Sequence, residues 1–286
     1  MPTQAPSRIG PFLLEQHPAS LPTMIGDRDA HHRRVVIAGG GPVGLACALA
    51  LANWGVASVV LEADTTVCDG SRAICISRRS LQILQRLDAL DAHLAKGLPW
   101  LGGRSFYRDS EILHFRMPDD EDQKLPPMIN IQQYWIEQFL VEAAARRNGL
   151  IEIRWGTALT RFQQQNDRIE LRATCGGDDY LIDADWLIAA DGGQRLVRKQ
   201  LDLKLEGVGW DSKFVIVDVH LQSPFPTERR AWFDPPSNPG LTVLMHRQPD
   251  DLWRIDYQIP DDADLDEALL PENVEAFVQR HLDFTG

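Results

Sequence analysis

Several features that define large classes of proteins are scarce or missing in this sequence. The longest apolar run, Gly44 to Ala52, is far too short to span a bilayer. Acidic residues outnumber basic ones, 41 to 29, so neither nucleic acid nor a membrane surface is expected as a partner. The cysteines form no C-x-x-C pair and the histidines show no metal-ligand spacing, so no metal site is expected. The N-terminus does not resemble a secretion signal, and we therefore expect reduced thiols and a cytoplasmic protein.

The chain is long enough for a large core and two domains. It has 286 residues, of which 44% are apolar and 24% are charged, as in an ordinary globular protein. Residues 1–34 are rich in proline and show no sustained period, which predicts an N-terminal extension or linker.

The stretch VVIAGGGPVGLACALALANWGVASVVLEAD, residues 35–64, has the pattern of a dinucleotide-binding unit. Val35–Ala38 predicts a buried parallel strand and Leu45–Trp54 a packed helix. Ala57–Leu61 predicts a second strand, which ends at Glu62. The order is therefore strand, glycine turn, helix, strand and acid.

The glycines of this stretch satisfy the pattern G-x-G-x-x-G. Gly39 permits the tight turn, Gly41 lets the backbone approach a pyrophosphate, and Gly44 allows close packing of helix and strand. Pro42 suits the first helical turn, whose free N–H groups favour phosphate. Glu62 can accept hydrogen bonds from ribose hydroxyls, which favours FAD or NAD over NADP. The unit alone leaves the choice between FAD and NAD open.

The rest of the chain alternates helical and strand patterns. The segment 80–90 has leucines at helical spacing, residues 104–117 predict a hairpin turning at Asp109-Ser110, and the segment after Gln133 has one apolar helical face. Strands are predicted near Ile151–Trp155 and Ile169–Ala173, and DADWLIAADGGQRLVRKQL repeats the order of strand, turn and helix. The last part is rich in strands, which we place at Lys213–Leu221, Glu228–Phe233, Thr242–Arg247 and Leu252–Ile259.

Four motifs in this order resemble the class A FAD-dependent aromatic hydroxylases, the flavoprotein monooxygenases, and most closely the branch of the 3-(3-hydroxyphenyl)propionate hydroxylases. They are GGGPVGL with VVLE, SRAI, IQQYWIEQFL and IAADGGQRLVR. The resemblance implies a set of cofactor-binding residues: Gly39, Gly41, Pro42, Val43, Gly44, Glu62, Arg72, Gln133, Asp191 and Arg198.

The resemblance also implies the fold, which is α/β. A Rossmann-like FAD-binding domain would cover residues 35–210, with a hairpin insertion near 104–127. A mixed or antiparallel β-sheet substrate domain would begin at residue 211 and be truncated at 286. WRIDYQIP matches the family's strand over flavin and substrate, which implies catalytic roles for Arg254 and Asp256. His246 falls on the preceding strand at the position that faces substrate in the family, which implies a catalytic role for it as well. The alternative without a catalytic role is an ordinary antiparallel sheet with one packed face and one solvated face.

The implied reaction is hydroxylation of a phenolic compound, with NAD(P)H and O2 as co-substrates and a flavin C4a-hydroperoxide as the oxidant. His246 or Asp256 would accept a proton or anchor the substrate. No second G-x-G-x-x-G is present, which fits the family and disfavours disulfide reductases with two dinucleotide sites. The sequence leaves open whether the protein is a homodimer.

Two departures from the family pattern keep alternatives open. Arg195 stands where the Asp-Gly motif usually has a serine. The family's later Gly-Asp motif, which binds the flavin ribityl chain, does not occur before Gly286. A non-catalytic FAD-binding fragment is therefore one alternative, and a plain NAD-dependent dehydrogenase is a second, weaker one that leaves the later motifs unexplained.

Overall fold

A computed structural model describes residues 8–9, 11–70, 72–193 and 196–285. The chain divides into two compact units. The first unit comprises the described residues of Met1–Ala73, Gln82–His93 and Gln132–Glu206. The second unit comprises the described residues of Ile74–Leu81, Leu94–Ile131 and Gly207–Gly286.

The elements are numbered in chain order. The strands are β1 (Arg8–Ile9), β2 (Phe12–Leu13), β3 (Met24–Ile25), β4 (Arg28–Asp29), β5 (Arg33–Ala38), β6 (Ser58–Leu61), β7 (Cys75–Ser77), β8 (Leu98–Trp100), β9 (Gly102–Tyr107), β10 (Ser110–Arg116), β11 (Met128–Asn130), β12 (Ile151–Arg154), β13 (Thr157–Gln164), β14 (Ile169–Cys175), β15 (Asp178–Ala189), β16 (Lys213–His220), β17 (Arg229–Phe233), β18 (Thr242–Arg247) and β19 (Leu252–Ile259). The helices are α1 (Pro42–Ala52), α2 (Arg78–Arg86), α3 (Leu90–Lys96), α4 (Gln133–Ala145), α5 (Leu196–Gln200), α6 (Leu265–Ala268) and α7 (Pro271–Thr285). Among the described residues, no helix is long and apolar enough to cross a membrane.

The first unit is built on a sheet with the strand order β12-β6-β5-β15-β14-β13. The pairs from β12 to β15 are parallel, whereas β15, β14 and β13 form an antiparallel meander. β5 and β6 are buried along nearly their whole length, as expected of parallel strands covered on both faces. Val35, Ile37 and Val60 pack against Ala48 of α1. The Rossmann-like part of the predicted fold class is therefore confirmed.

Described residues of the N-terminal segment pair with the main sheet, which the prediction of an extension or linker did not include. β4 pairs with β15 in the main sheet and supplies Asp29, which is 5% exposed. The Asp29 carboxylate accepts hydrogen bonds from Arg154 at 2.6 Å and from Arg33 at 2.9 Å. Two-residue strands have no detectable period, so pattern analysis could not find them.

The second unit contains a sheet with the order β10-β9-β17-β18-β19-β16. Its apolar face includes Trp232, Met245, Trp253 and Ile255, and α7 covers this face with Phe277. The predicted mixed or antiparallel sheet is confirmed in this unit. The hairpin β9–β10 differs from the prediction, because β9 pairs in parallel with β17 and so belongs to this sheet rather than to an insertion in the cofactor domain.

The predicted leucine helix of residues 80–90 is two helices. α2 ends at Arg86, and Asp88 has a φ of +56°, a left-handed conformation that interrupts the helix. Leu90 then begins α3. The leucine period runs through this break, because Leu81, Leu87 and Leu90 are all buried.

Candidate functional site

Two of the three motif glycines are required by the packing of the first unit. A Cβ on Gly39 would lie 2.3 Å from the Ala190 carbonyl oxygen, and Gly39 has a φ of +104°. A Cβ on Gly44 would lie 1.9 Å from the carbonyl oxygen of Gly39. Both neighbours are backbone atoms and cannot move aside. These glycines therefore allow the turn between β5 and α1 to pack closely on itself and on the start of the loop that follows β15.

Gly41 is a different case. It is the N-cap of α1, with a φ of −71° that any residue can adopt. Within the described structure, a Cβ on Gly41 would meet nothing closer than the Glu137 carboxylate oxygen at 3.9 Å. Neither packing nor conformation therefore requires a glycine here. The missing side chain leaves the first turn of α1 open to a ligand, and Pro42 is the first residue of that helix.

Glu62 follows β6 and is tied to the glycine turn. Its carboxylate accepts hydrogen bonds from the backbone N–H of Gly40 at 2.6 Å and of Asp64 at 2.9 Å. Burial raises the pKa of Glu62 above its ordinary value, although both backbone N–H groups favour the ionised form. Each carboxylate oxygen has a second lone pair, so Glu62 can still accept from a ligand.

These groups line a cavity of about 510 Å³ within the first unit. Residues from the loops after β5, β6, β12 and β15 meet there, at the carboxyl ends of parallel strands, where open α/β sheets bind ligands. The predicted residues in the lining are Gly39, Gly41, Pro42, Val43, Glu62, Arg72, Gln133 and Asp191.

Two predicted residues lie outside this lining. Gly44 acts through packing, as described above. Arg198 is not among the described residues that line the cavity, and its guanidinium donates to the Leu203 carbonyl at 3.0 Å. Asp191 accepts from the backbone N–H of Val197 at 3.1 Å and so holds the start of α5. Arg195, the expected departure from the family's serine, lies outside the described residues.

Sequence reasoning missed Glu137, which lines the same cavity and is 4% exposed. Its carboxylate accepts from the Gln133 side chain at 2.8 Å and from the backbone N–H of Cys68 at 2.7 Å. Glu137 thereby joins α4 to the loop after β6. Its position four residues after Gln133 on one helical face was the available signal.

In the second unit, two of the three residues that were predicted to be catalytic, His246 and Arg254, are paired across neighbouring strands, and the third, Asp256, lies in the next row. The register pairs Arg229 of β17 with His246 of β18, and His246 with Arg254 of β19. These three residues form what we call the cationic row. The neighbouring row contains Ala231, Leu244 and Asp256. Since adjacent strands lie about 4.8 Å apart, the rows place a histidine between two arginines and an acid beside them.

His246 and Asp256 are both held away from their ordinary charge states. Burial lowers the pKa of His246 to about 4, helped by the charges of Arg229 and Arg254. Burial raises the pKa of Asp256 to about 6, against the opposing effect of Arg254. Within the described part of the chain, His246 Nδ1 and Asp256 Oδ1 are buried without a hydrogen-bond partner. Both groups are thus polar atoms to which a ligand could bind.

The two arginines of the cationic row differ. Arg254 is 2% exposed and forms a two-point ion pair with Asp218, with bonds of 3.0 and 2.9 Å. Arg229 is exposed, and its guanidinium makes no ion pair or hydrogen bond with any described residue. The simple expectation that Arg254 lies on a solvated face is wrong, because Arg254 is buried, and Asp256 and Gln258 on the same side of β19 are half-buried.

Arg229 also lines a cavity of about 330 Å³ on this side of the sheet. The lining is mostly apolar and includes three aromatic rings: Phe115, Phe214 and Phe233. Leu244 of the neighbouring row contributes as well. Among the described residues that line this cavity, Arg229 is the one cation without an ion pair, and a cavity of aromatic rings with such a cation suits an aromatic molecule that carries negative charge.

Asn130 supports this site and was also missed from the sequence. Asn130 accepts a hydrogen bond from the Trp100 indole at 2.8 Å and donates one to the Arg247 carbonyl at 2.7 Å. The Trp100 ring contacts His246 edge-on, with centroids 6.4 Å apart. Asn130 therefore fixes a ring that packs on His246, through segments too distant in sequence for a local pattern to connect them.

An Asp256→Asn variant is expected to be more stable than the wild type at pH 8. Because the folded pKa of Asp256 is raised to about 6, ionising this buried carboxyl opposes folding above its unfolded pKa. The free energy of unfolding is expected to rise by on the order of 2 kcal/mol at pH 8, and this increase shrinks to nothing as the pH falls towards 4. Urea unfolding across this range measures it. An equal gain at every pH would show that the effect does not come from the charge.

The fold and the cavity of the first unit define a dinucleotide-binding α/β protein. A model of the FAD binding domain family matches residues 32–282. The chain belongs to this FAD-binding family, and its dinucleotide is FAD. The resemblance to class A flavoprotein hydroxylases is thus confirmed, and the NAD-dependent dehydrogenase loses its support.

Relatives and solved structures agree with this assignment. A 3-(3-hydroxy-phenyl)propionate/3-hydroxycinnamic acid hydroxylase of Escherichia coli O8 (strain IAI1) is 25% identical over 268 residues, or 93% of this chain and 47% of the relative. The corresponding hydroxylase of E. coli K12 is 28% identical over 71% of this chain and 36% of its own length. The chain thus spans less than half of both relatives. The crystal structure of p-nitrophenol 4-monooxygenase from Pseudomonas putida DLL-E4 shares the fold, with a TM-score of 0.77 and 24% identity over 87% of this chain and 62% of that chain.

Proposed function

We propose that the cavity of the first unit holds the FAD. The backbone at Gly41, Pro42 and Val43 would bind the pyrophosphate at the N-terminus of α1, where free N–H groups and the helix dipole favour negative charge. Glu62 would accept from the ribose hydroxyls. The remaining lining residues Arg72, Gln133 and Asp191 would bind other parts of the cofactor. Arg198 would support this site indirectly, through α5.

We further propose that the protein is an aromatic hydroxylase that uses NAD(P)H and O2. The bound flavin would supply the redox chemistry. The observation that carries this proposal is the cationic row beside the aromatic-lined cavity in the second unit. The names of the E. coli hydroxylases and of the p-nitrophenol monooxygenase support a phenolic substrate.

The cationic row would bind the phenol and favour its ionised form. The charge of Arg229 would stabilise a phenolate and so lower the pKa of the bound hydroxyl, with a smaller contribution from Arg254, whose charge is compensated by Asp218. The neutral imidazole of His246 can accept a hydrogen bond from this hydroxyl, or its proton. Asp256, whose pKa is about 6, changes its charge near neutral pH and so adjusts the field at the same place. Phe115 and Phe233 would exclude water from the ring.

Arg229→Ala is the variant that tests this proposal. We expect the KM for a phenolic acid to rise about tenfold to a hundredfold, because a charge-assisted hydrogen bond is lost, while Arg229→Lys keeps part of the effect. The assay follows NAD(P)H oxidation stimulated by a panel of phenols, with transfer of ¹⁸O from O2 to the product. Arg172→Ala, which removes an exposed arginine of the first unit, is the matched control.

The outcomes separate the two candidate functions. Stimulated NAD(P)H oxidation with labelled product establishes the hydroxylase. FAD binding without any turnover identifies a non-catalytic FAD-binding protein. An Arg229→Ala variant with unchanged KM would remove the cationic row from substrate binding.

A further inference from the structure

The N-terminal segment lies outside the family match, which begins at residue 32. Part of it nevertheless packs tightly on the first unit. Phe12 is 2% exposed and lies with its ring centroid 4.6 Å from that of Tyr134 and 4.7 Å from that of Trp135, both on α4. Leu14 is also buried, in a cluster that includes Val67 and Trp155. We call residues 11–19 the N-terminal strap.

The strap is bonded to the loop that follows β6. The backbone N–H of His17 donates to the Thr65 carbonyl at 2.7 Å. The Thr65 hydroxyl donates to the Gln16 side chain at 3.1 Å. Thr66 and Cys68 of the same loop line the FAD cavity, and Val67 between them packs against the strap. One side of this loop therefore contacts the strap, while residues on either side of Val67 face the cavity.

The strap also contacts the segment that follows β12. The His17 ring stacks on Trp155, with centroids 4.3 Å apart and an angle of 12° between the planes. Ala19 occupies the space beside Gly156, where a Cβ would lie 2.6 Å from the Ala19 Cβ. Trp155 itself lines the FAD cavity, as does Thr157. The strap thus packs against a cavity residue directly.

These contacts converge on the part of the cavity beside Glu62. The Glu62 backbone N–H donates to the Arg154 carbonyl, and the Thr157 N–H donates to the Glu62 carbonyl, at 2.9 and 2.7 Å. Trp155 and Gly156 therefore lie between two backbone bonds to the residue that is proposed to bind ribose. Displacing Trp155 would change the cavity at its ribose end.

We propose that the N-terminal strap is a positioning element for the adenosine half of the FAD. His17 holds the plane of Trp155 by stacking, and the bond from its backbone to Thr65 holds the loop after β6. No residue of the strap is among the described residues that line the cavity, so its effect would be exerted through Trp155 and this loop. The inference rests on the proposed FAD site and adds to it a segment that precedes the family match.

His17→Ala is the variant that tests this role. Losing an aromatic stack is expected to weaken FAD binding about threefold to tenfold, and to weaken ADP binding by the same factor. Riboflavin binding should not change, because it lacks the adenosine half. His17→Phe should restore the affinity for FAD, since a phenyl ring can stack and His17 Nε2 has no hydrogen-bond partner among the described residues. A general loss of stability would not show this selectivity or this rescue.

His32→Ala is the matched control, because His32 is exposed, pairs with Asp185 and lines no part of the cavity. Thermal unfolding of each variant shows whether it folds. If the wild type binds FAD, and the folded His17→Ala variant binds both FAD and ADP as tightly as the wild type does, the positioning role is overturned. Failure of Phe to restore affinity would overturn the stacking argument. Absence of FAD binding by the wild type would instead overturn the proposed FAD site.

Discussion

A Gly41→Ala variant is expected to fold like the wild type and to bind FAD at least about tenfold more weakly. The new methyl group would meet no described atom within 3.9 Å, and the backbone of Gly41 already has a conformation that alanine adopts. The methyl group would instead occupy the space through which, in the proposed site, a pyrophosphate would reach the first turn of α1. Isothermal titration with FAD and thermal unfolding of the same samples measure both expectations.

Gly44→Ala is the informative comparison. Its methyl group would lie 1.9 Å from the Gly39 carbonyl oxygen, so the turn must be rebuilt or the first unit must unfold. We expect a large loss of stability here, of several kcal/mol, of the kind that accompanies a forced clash in a packed interior. If Gly41→Ala instead destabilised the fold and still bound FAD normally, the division of roles between these glycines would be wrong.

Asp29→Ala is expected to lower the free energy of unfolding of the first unit by about 3–5 kcal/mol, because removing one partner of a buried ion pair leaves the other charge uncompensated. The partner is Arg154, whose side chain is 3% exposed and lies 2.6 Å from the Asp29 carboxylate. Arg154 retains Glu152 and Tyr180 as neighbours, but Glu152 is partly solvated. Urea unfolding measures the loss. Asp185→Ala, which removes an exposed carboxylate paired with His32, is the control and should change stability by less than about 1 kcal/mol.

The same ion pair predicts the direction of a pH effect. Burial alone would raise the pKa of Asp29, but hydrogen bonds from Arg33 and Arg154 lower it below its ordinary value. A carboxyl with a lowered folded pKa contributes stability above its unfolded pKa, and this contribution is lost as the pH falls through the folded value. The difference between wild type and Asp29→Ala should therefore be full near neutral pH and shrink under acid. A difference that did not change with pH would contradict the charged pair.

The sequence was most informative where chemistry depends on neighbours along the chain. Gly39, Gly41, Gly44 and Glu62 belong to one strand–turn–helix–strand unit, so spacing alone was enough to predict their arrangement. The alternation along β19 likewise indicated that Arg254 and Asp256 share one side of a strand. Both patterns reflect local geometry, which a sequence expresses directly.

Contacts between distant segments were not predictable in this way. No local pattern connects Glu137 with Cys68 or Asn130 with Trp100, and only the fold brings these residues together. The hairpin β9–β10 was expected in the cofactor domain because it interrupts that domain along the chain, whereas its pairing with β17 depends on residues far downstream. Arg198 shows that a matching motif does not fix where a side chain lies. Its guanidinium donates to the Leu203 carbonyl, and it is not among the described residues that line the cavity.

Binding of FAD by the purified chain decides whether the first unit is an FAD site. The chain would be mixed with FAD, passed through a gel-filtration column and examined by visible absorbance, with Gly41→Ala treated in parallel. We expect flavin absorbance that elutes with the wild type, that excess NAD does not displace, and that is lost or much reduced in the variant. A colourless wild type that ignores FAD, or one from which NAD displaces the flavin, would contradict the proposed FAD site.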